Sequence, residues 1–173
     1  MILKILSSVV IVICCGLIGL YKANRYIQRV KEIRMLKTAL IQLETEIIYF
    51  SNFMSDALSA VAKSVQGPWR DFFYKVARDL ADRTEYSVAE CWRKNLDYYK
   101  KQFFIGEPEY EILVRFGSNL GTSDSESQKK YFELAQQQLL VEERKAEELC
   151  SKYVQMYRSL GILCGLAIAI ILF

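Results

Sequence analysis

At 173 residues, 52% of them apolar and 25% charged, the chain is about one domain long and too rich in core-forming side chains to be disordered. A net charge of +3 and the lack of an aromatic-basic patch give no reason to expect a nucleic-acid partner. Histidine is absent and the five cysteines (Cys14, Cys15, Cys91, Cys150, Cys164) form no C-x-x-C pair, so we expect no zinc site, no disulfide framework and no cofactor.

Residues 1–21 open the chain with an apolar run interrupted only by Lys4, Ser7 and Ser8. Twenty helical residues rise about 30 Å, the thickness of a hydrocarbon core. A cleaved signal would carry its positive charge before the run and a small-x-small site after it. The order here is reversed. Lys4 alone precedes, whereas Lys22, Arg25, Arg29, Lys31, Arg34 and Lys37 follow, opposed only by Glu32. The expectation is an uncleaved transmembrane helix with its basic flank in the cytoplasm and the N-terminus outside.

From Ile33 the apolar residues Leu36, Leu40, Leu43, Ile47, Phe50, Met54, Leu58 and Val61 fall in steps of three and four. That predicts one amphipathic helix continuing from the first span to Gly67-Pro68, since no glycine or proline intervenes after Leu20. A second helix carries Trp69, Phe72, Phe73, Val76 and Leu80. Ser87 and Glu90 form a capping box opening a third, with Val88, Trp92, Leu96, Tyr99 and Phe103. After Ile105-Gly106, Pro108 suits the first turn of a fourth, which bears Ile112, Leu113, Phe116 and Leu120 and ends at Gly121. Within "TSDSESQ", Ser123 with Glu126 or Ser125 with Gln128 would cap a fifth, whose seam is Phe132, Ala135, Leu139, Ala146 and Leu149. The aromatic residues at 69, 72, 73, 92, 99 and 103 read as core. The charged face "EERKAEE" reads as solvated, or as a docking surface for a basic partner.

Residues 159–173 close the chain with "LGILCGLAIAIILF" from Leu160, a short second span that Tyr153 to Tyr157 extend upstream. Gly161, Gly165 and Ala169 share one helix face and would let another helix approach closely. The fold class is therefore all-α, an antiparallel helical bundle carried between two terminal transmembrane helices. Residues 22–158 form the bundle in the cytoplasm and both termini lie outside.

No phosphate-binding loop, H-E-x-x-H or G-x-S-x-G occurs. Glu44 and Glu46 point about 200° apart on a helix and cannot act as an acid/base pair there. The residues alone describe a non-enzymatic, membrane-tethered scaffold. A pore-forming, holin- or channel-like membrane protein is the alternative, disfavoured by the scarcity of polar residues in the spans.

"LKTALIQLETEIIYF" (residues 36–50), "FGSNLGTSDSESQKKYFELA" (residues 116–135) and "YRSLGILCGLAIAIILF" (residues 157–173) resemble the stage III sporulation protein AB family of endospore-forming bacteria. The middle region also resembles the helical cytoplasmic domain of type II secretion and type IV pilus platform proteins. The resemblance implies a subunit of the mother cell–forespore transenvelope complex, the feeding tube, needed for forespore development. It implies contact with the cognate ATPase, stage III sporulation protein AA, and with other membrane proteins of the stage III sporulation A operon. Self-association would compensate for having one such domain. Glu44, Glu46 and the turn Gly117, Gly121, Asp124 are the candidate partner-binding residues, the turn being expected to be exposed.

Overall fold

In a computed structural model the periodic stretches fold, among the described residues, as six α-helices. They are α1 (Ile2–Glu44), α2 (Met54–Ser64), α3 (Pro68–Ala81), α4 (Val88–Tyr99), α5 (Glu107–Ser118) and α6 (Ser125–Leu172). A π-helical turn, Thr45–Tyr49, follows α1 and a 3₁₀ turn, Lys100–Gln102, follows α4. The structure describes residues 2–82, 86–121 and 125–172, but not the side chains of residues 2–13, 15–16, 125, 158 and most of 161–172. Among the described residues there is no strand, and no helix is long and apolar enough to cross a membrane. The expected spans fall largely on side chains outside that set.

The chain divides into two compact units. One joins residues 1–31 with residues 144–173. In it Tyr26 stacks on Tyr153 and Tyr157, with ring centroids 5.3 and 6.1 Å away, and Ala23 is buried.

The other unit, residues 32–143, is an antiparallel bundle. Its core holds the predicted aromatic residues at 69, 72, 73, 92 and 103, whereas Tyr99, expected with them, is only half-buried. Trp69 of α3 stacks on Phe103 at 3.6 Å between centroids, Phe72 meets Trp92 of α4 at 5.0 Å, Trp92 meets Phe116 of α5 at 5.5 Å, and Phe116 meets Phe132 of α6 at 4.9 Å. These rings tie four successive helices through one face-to-face stack and three edge-on contacts, the edge-on ones each worth about 0.5–1.5 kcal/mol beyond the area they bury. The seam of α1, from Ile33 through Leu36 and Leu40 to Leu43, is fully buried. Gln136 of α6 donates to Glu44 of α1, and Lys37 and Arg34 of α1 donate to Glu143 of α6. Positions that rise along one helix fall along the other, so the pair is antiparallel.

Several ends form as local chemistry dictates. Ser87 caps α4 reciprocally: Glu90 N–H donates to Ser87 Oγ (3.3 Å) and Ser87 N–H to Glu90 Oε2 (2.7 Å). Gly67, at φ +63°, precedes Pro68 at the first turn of α3. Gly106 N–H donates to Glu109 Oε2 (2.8 Å); lacking a side chain, Gly106 supplies only half of a capping box.

Two expectations are corrected. The helix does not run from the first span to Gly67. It widens to a π turn and breaks at residues 50–53, where Ser51 sits at φ +53°, so six helices replace five. Asn52 seals the break by donating its backbone N–H to Glu46 O (3.0 Å) and its Nδ2 to Glu46 Oε2 (2.7 Å). Phe50, assigned to the core seam, is 65% exposed as a result. Left-handed backbone costs a non-glycine residue about 1–2 kcal/mol, more than the added unfolded-state entropy of glycine. Ser51→Gly is expected to stabilise the bundle by about 0.5 kcal/mol, read as a higher urea midpoint with unchanged slope.

The second correction concerns "EERKAEE". Its first two carboxylates are not solvated: Glu142 and Glu143 are buried, whereas Glu147 and Glu148 are exposed.

Candidate functional site

The end of α1 holds Glu44 and Glu46, and each meets a neutral amide. Gln136 Nε2 donates to Glu44 Oε2 (2.7 Å), and Asn52 donates to Glu46 as described. Both carboxylates are half-buried. The two are held by different elements and do not converge on one site. Beyond them Tyr49, Phe50 and Phe53 stand exposed, with Phe53 at 82%. No lysine or arginine occurs between Lys37 and Lys63. Periodicity placed Phe50 inside, so this aromatic tip escaped the sequence reading.

The second candidate, the turn after α5, is only partly a surface feature. Gly117 is buried within α5, which overturns its expected exposure. The indole of Trp92 lies directly on it: a Cβ added there would sit 2.6 Å from Trp92 Cγ. The same indole donates Nε1–H to Leu113 O (3.0 Å), one turn earlier on α5. Gly121 is exposed at φ +77°, the left-handed conformation that ends the turn, with Val88 Cγ2 3.1 Å from where its Cβ would stand. Asp124 lies outside the described residues. So do the surroundings of Gly161, Gly165 and Ala169.

The burial of Glu32, Glu109, Glu142 and Glu143 went unrecognised, and two of these carboxylates, Glu32 and Glu143, tie elements together. Glu32 accepts from Trp69 Nε1–H (3.0 Å) and Phe104 N–H (2.8 Å), both on Oε2. It thus anchors the core indole and the segment after α4 to α1. Burial pushes its pKa above the ordinary carboxylate value, against the pull of those donors. In sequence it looked like one acid opposing a basic run.

Glu143 accepts from Arg34 Nε (2.8 Å) and Lys37 Nζ (2.6 Å). Burial raises its pKa, but the hydrogen bonds and charges of Lys37 and Arg34 outweigh this and hold it below the usual range. A depressed native pKa contributes stability above the unfolded value, about 4.3, and that contribution disappears as pH falls through the native value. Arg34 is 58% exposed, so water screens much of the attraction. Glu143→Gln is expected to cost about 1 kcal/mol at pH 7 and nothing near pH 2. Urea midpoints measured at both values check this.

Among the described residues no three His, Cys, Asp or Glu side chains converge where a metal ion could sit. The geometry defines an all-α bundle protein whose recognisable sequence pattern serves packing. The family model described as stage III sporulation protein AB matches residues 4–173. Stage III sporulation protein AB of Bacillus subtilis (strain 168) is 34% identical over 170 residues, covering 98% of this chain and 99% of that protein. A solved structure of a stage III sporulation protein AB superimposes with a TM-score of 0.67 at 32% identity, covering 71% of this chain and 96% of that one. The chain belongs to the stage III sporulation protein AB family, and its role lies in sporulation.

Proposed function

We propose that the protein is a non-enzymatic platform subunit of the transenvelope complex between mother cell and forespore. It sits in the membrane by its two terminal segments. The charge asymmetry along α1 supports this reading: an apolar run of membrane length precedes six cations and one acid in sixteen residues. On this reading the bundle lies on the mother-cell side of the outer forespore membrane, with Lys22, Arg25 and Arg29 near anionic headgroups. A bundle so placed meets cytoplasmic components, and the family's likeness to secretion platforms makes the cognate sporulation ATPase, stage III sporulation protein AA, the foremost of them. Glu44, Glu46 and the exposed end of the turn, Gly121 with Asp124, are the proposed contacts. Gly161, Gly165 and Ala169 would pack the two spans together or against other membrane subunits.

Two measurements test the reading in sporulating cells. A reporter inserted at Gly106 should be active only if it is a cytoplasmic type, and activity of an extracytoplasmic reporter there would overturn the topology. A photo-cross-linker at Gly121 should trap the ATPase. Trapping of extracytoplasmic proteins alone would remove the coupling role.

A further inference from the structure

The unit formed by residues 1–31 and 144–173 changes its surface character along both of its helical segments. On α1, Leu17, Ile18, Leu20 and Tyr21 are each at least 50% exposed, and the next exposed residues are Lys22, Asn24 and Arg25. On α6, Leu160 and Leu163 are exposed. Going back along that helix, the exposed residues become Ser159, Gln155, Lys152 and Ser151, with Met156 the one apolar exception among those described. Gly19 and Ala23 of α1 are buried.

The tyrosine stack puts the two changes at one level. Tyr26 stacks on both Tyr153 and Tyr157, so it stands about level with Gln155. Five residues toward the apolar end of each antiparallel segment lie Tyr21 and Leu160, where exposed apolar surface begins. A greasy patch that fits a protein partner need not end at the same height on two helices, whereas the edge of a hydrocarbon layer must. At about 1.5 Å per residue, Tyr157 stands about 4 Å, Tyr26 about 7 Å and Tyr153 about 10 Å to the polar side of that edge. The headgroup layer of a bilayer is about 5–7 Å deep on each side, so Tyr157 and Tyr26 fall in it and Tyr153 at its outer limit. The charges there are of one sign. Residues 22–31 and 149–159 contain Lys22, Arg25, Arg29, Lys31, Lys152 and Arg158 and no aspartate or glutamate. The nearest acids along the two helices, Glu32 and Glu148, lie about 16 and 18 Å from the edge.

We propose that the stacked Tyr26, Tyr153 and Tyr157 form a phospholipid-headgroup site at the bilayer surface, with the hydrocarbon edge at Tyr21 and Leu160. This rests on the membrane reading above and adds to it the lipid contact and its depth. A tyrosine suits that layer because its ring is apolar and its hydroxyl polar, so the hydroxyl can donate to a phosphate or ester oxygen while the ring stays out of water. The stack joins α1 to α6, so one set of lipid contacts holds both segments at the same depth. The surrounding cations favour anionic headgroups.

Fluorine NMR of the full chain in nanodiscs of phosphatidylcholine and phosphatidylglycerol tests it, with 3-fluorotyrosine placed at position 21, 26, 153 or 157 in turn. Resonances of positions 26 and 157 should broaden about threefold more with gadolinium chelated on a lipid headgroup than with a nitroxide at carbon 16 of an acyl chain. Position 21 should respond most to a nitroxide at carbon 5. If position 21 responds to lipid but 26 and 157 respond only to a water-soluble chelate, the headgroup site is lost and the membrane reading stands. If all four respond only to the soluble chelate, the membrane reading is lost and the site with it. Broadening of 26 and 157 by the carbon-16 nitroxide would overturn the assigned depth. Tyr26→Phe with Tyr157→Phe keeps the rings and removes two hydroxyls. Without those polar tips the segments should sink, and position 153 should broaden about twofold more with the carbon-5 nitroxide. Unchanged broadening, with native helical circular dichroism, counts against the hydroxyl contact. In sporulating cells, a photo-cross-linker at position 157 that captured only protein would also overturn the proposal, because another subunit would then occupy the site.

Discussion

Gly117→Ala is expected to be the most damaging single-methyl change in the bundle. Alanine normally favours a helix interior over glycine by about 1 kcal/mol, and that is the most the substitution can gain. Against it stands the Trp92 indole, with ring atoms 2.5 and 2.6 Å from the new Cβ where van der Waals contact needs more than 3.4 Å. The ring cannot swing away cheaply. Phe72, Phe73 and Phe116 surround it at centroid distances of 5.0, 5.9 and 5.5 Å. Its Nε1–H is committed to Leu113 O, and a displaced indole would leave a buried donor and acceptor unpaired. Overpacking of about 1–3 kcal/mol and a lost buried hydrogen bond of about 1–3 kcal/mol together exceed the propensity gain. The expected net loss is about 3 kcal/mol, seen as a Tm about 10 °C lower with near-native helical circular dichroism below the transition. Trp92→Ala removes all three indole atoms that overlap, so if the clash is the cause, adding Gly117→Ala in that background should cost little or nothing further.

The same glycine shows what a sequence exposes and what it withholds. Signals acting within four residues were legible. Ser87 and Glu90 cap where their spacing says, Gly67-Pro68 opens α3, Pro108 sits in the first turn of α5, and the aromatic core lies on its predicted faces. Gly117 was visible too, but as part of an exposed turn. Its actual constraint comes from Trp92, 25 positions earlier in the chain. A glycine inside a helix, here the penultimate residue of α5, costs helix stability, which is the one local hint of a packing cause.

The break at residues 50–53 went unseen for a different reason. Phe50 and Met54 keep perfect helical spacing, and only the paired Ser51-Asn52, two residues that favour turns, argued against continuity. Their effect depended on Asn52 finding Glu46, which spacing alone does not reveal. Glu143 illustrates the longest reach. Its two cations lie 106 and 109 positions away, so "EERKAEE" read as solvated when half of its acids were interior. At the candidate contacts Glu44 and Glu46, position was legible but the amide partners were not.

Glu32 carries the other large expectation, and it separates the acceptor from the charge. Its carboxylate costs the fold something, because burial raises its pKa. It also satisfies two donors that have no alternative drawn in the structure, Trp69 Nε1–H and Phe104 N–H. Glu32→Ala removes the acceptor and strands both donors. At about 1–3 kcal/mol for each unpaired group, and with Phe104 N–H only partly buried, the expected loss relative to wild type is about 3 kcal/mol at pH 4 and smaller at pH 7, where wild type carries the cost of the buried charge. Glu32→Gln keeps an oxygen in place and removes only the charge. For an acid whose native pKa is raised, stability is greatest below the unfolded pKa, about 4.3, and declines as pH rises through the native value. Wild type should therefore lose stability across that interval on account of this group, while Glu32→Gln should lack that component and equal or exceed wild type at pH 7. Urea midpoints for the three proteins at pH 4 and pH 7 make the comparison. A Glu32→Gln protein as crippled as Glu32→Ala would mean that the charge itself holds Trp69 and Phe104. Indistinguishable pH profiles for wild type and Glu32→Gln would mean that the carboxyl titrates as it does in water.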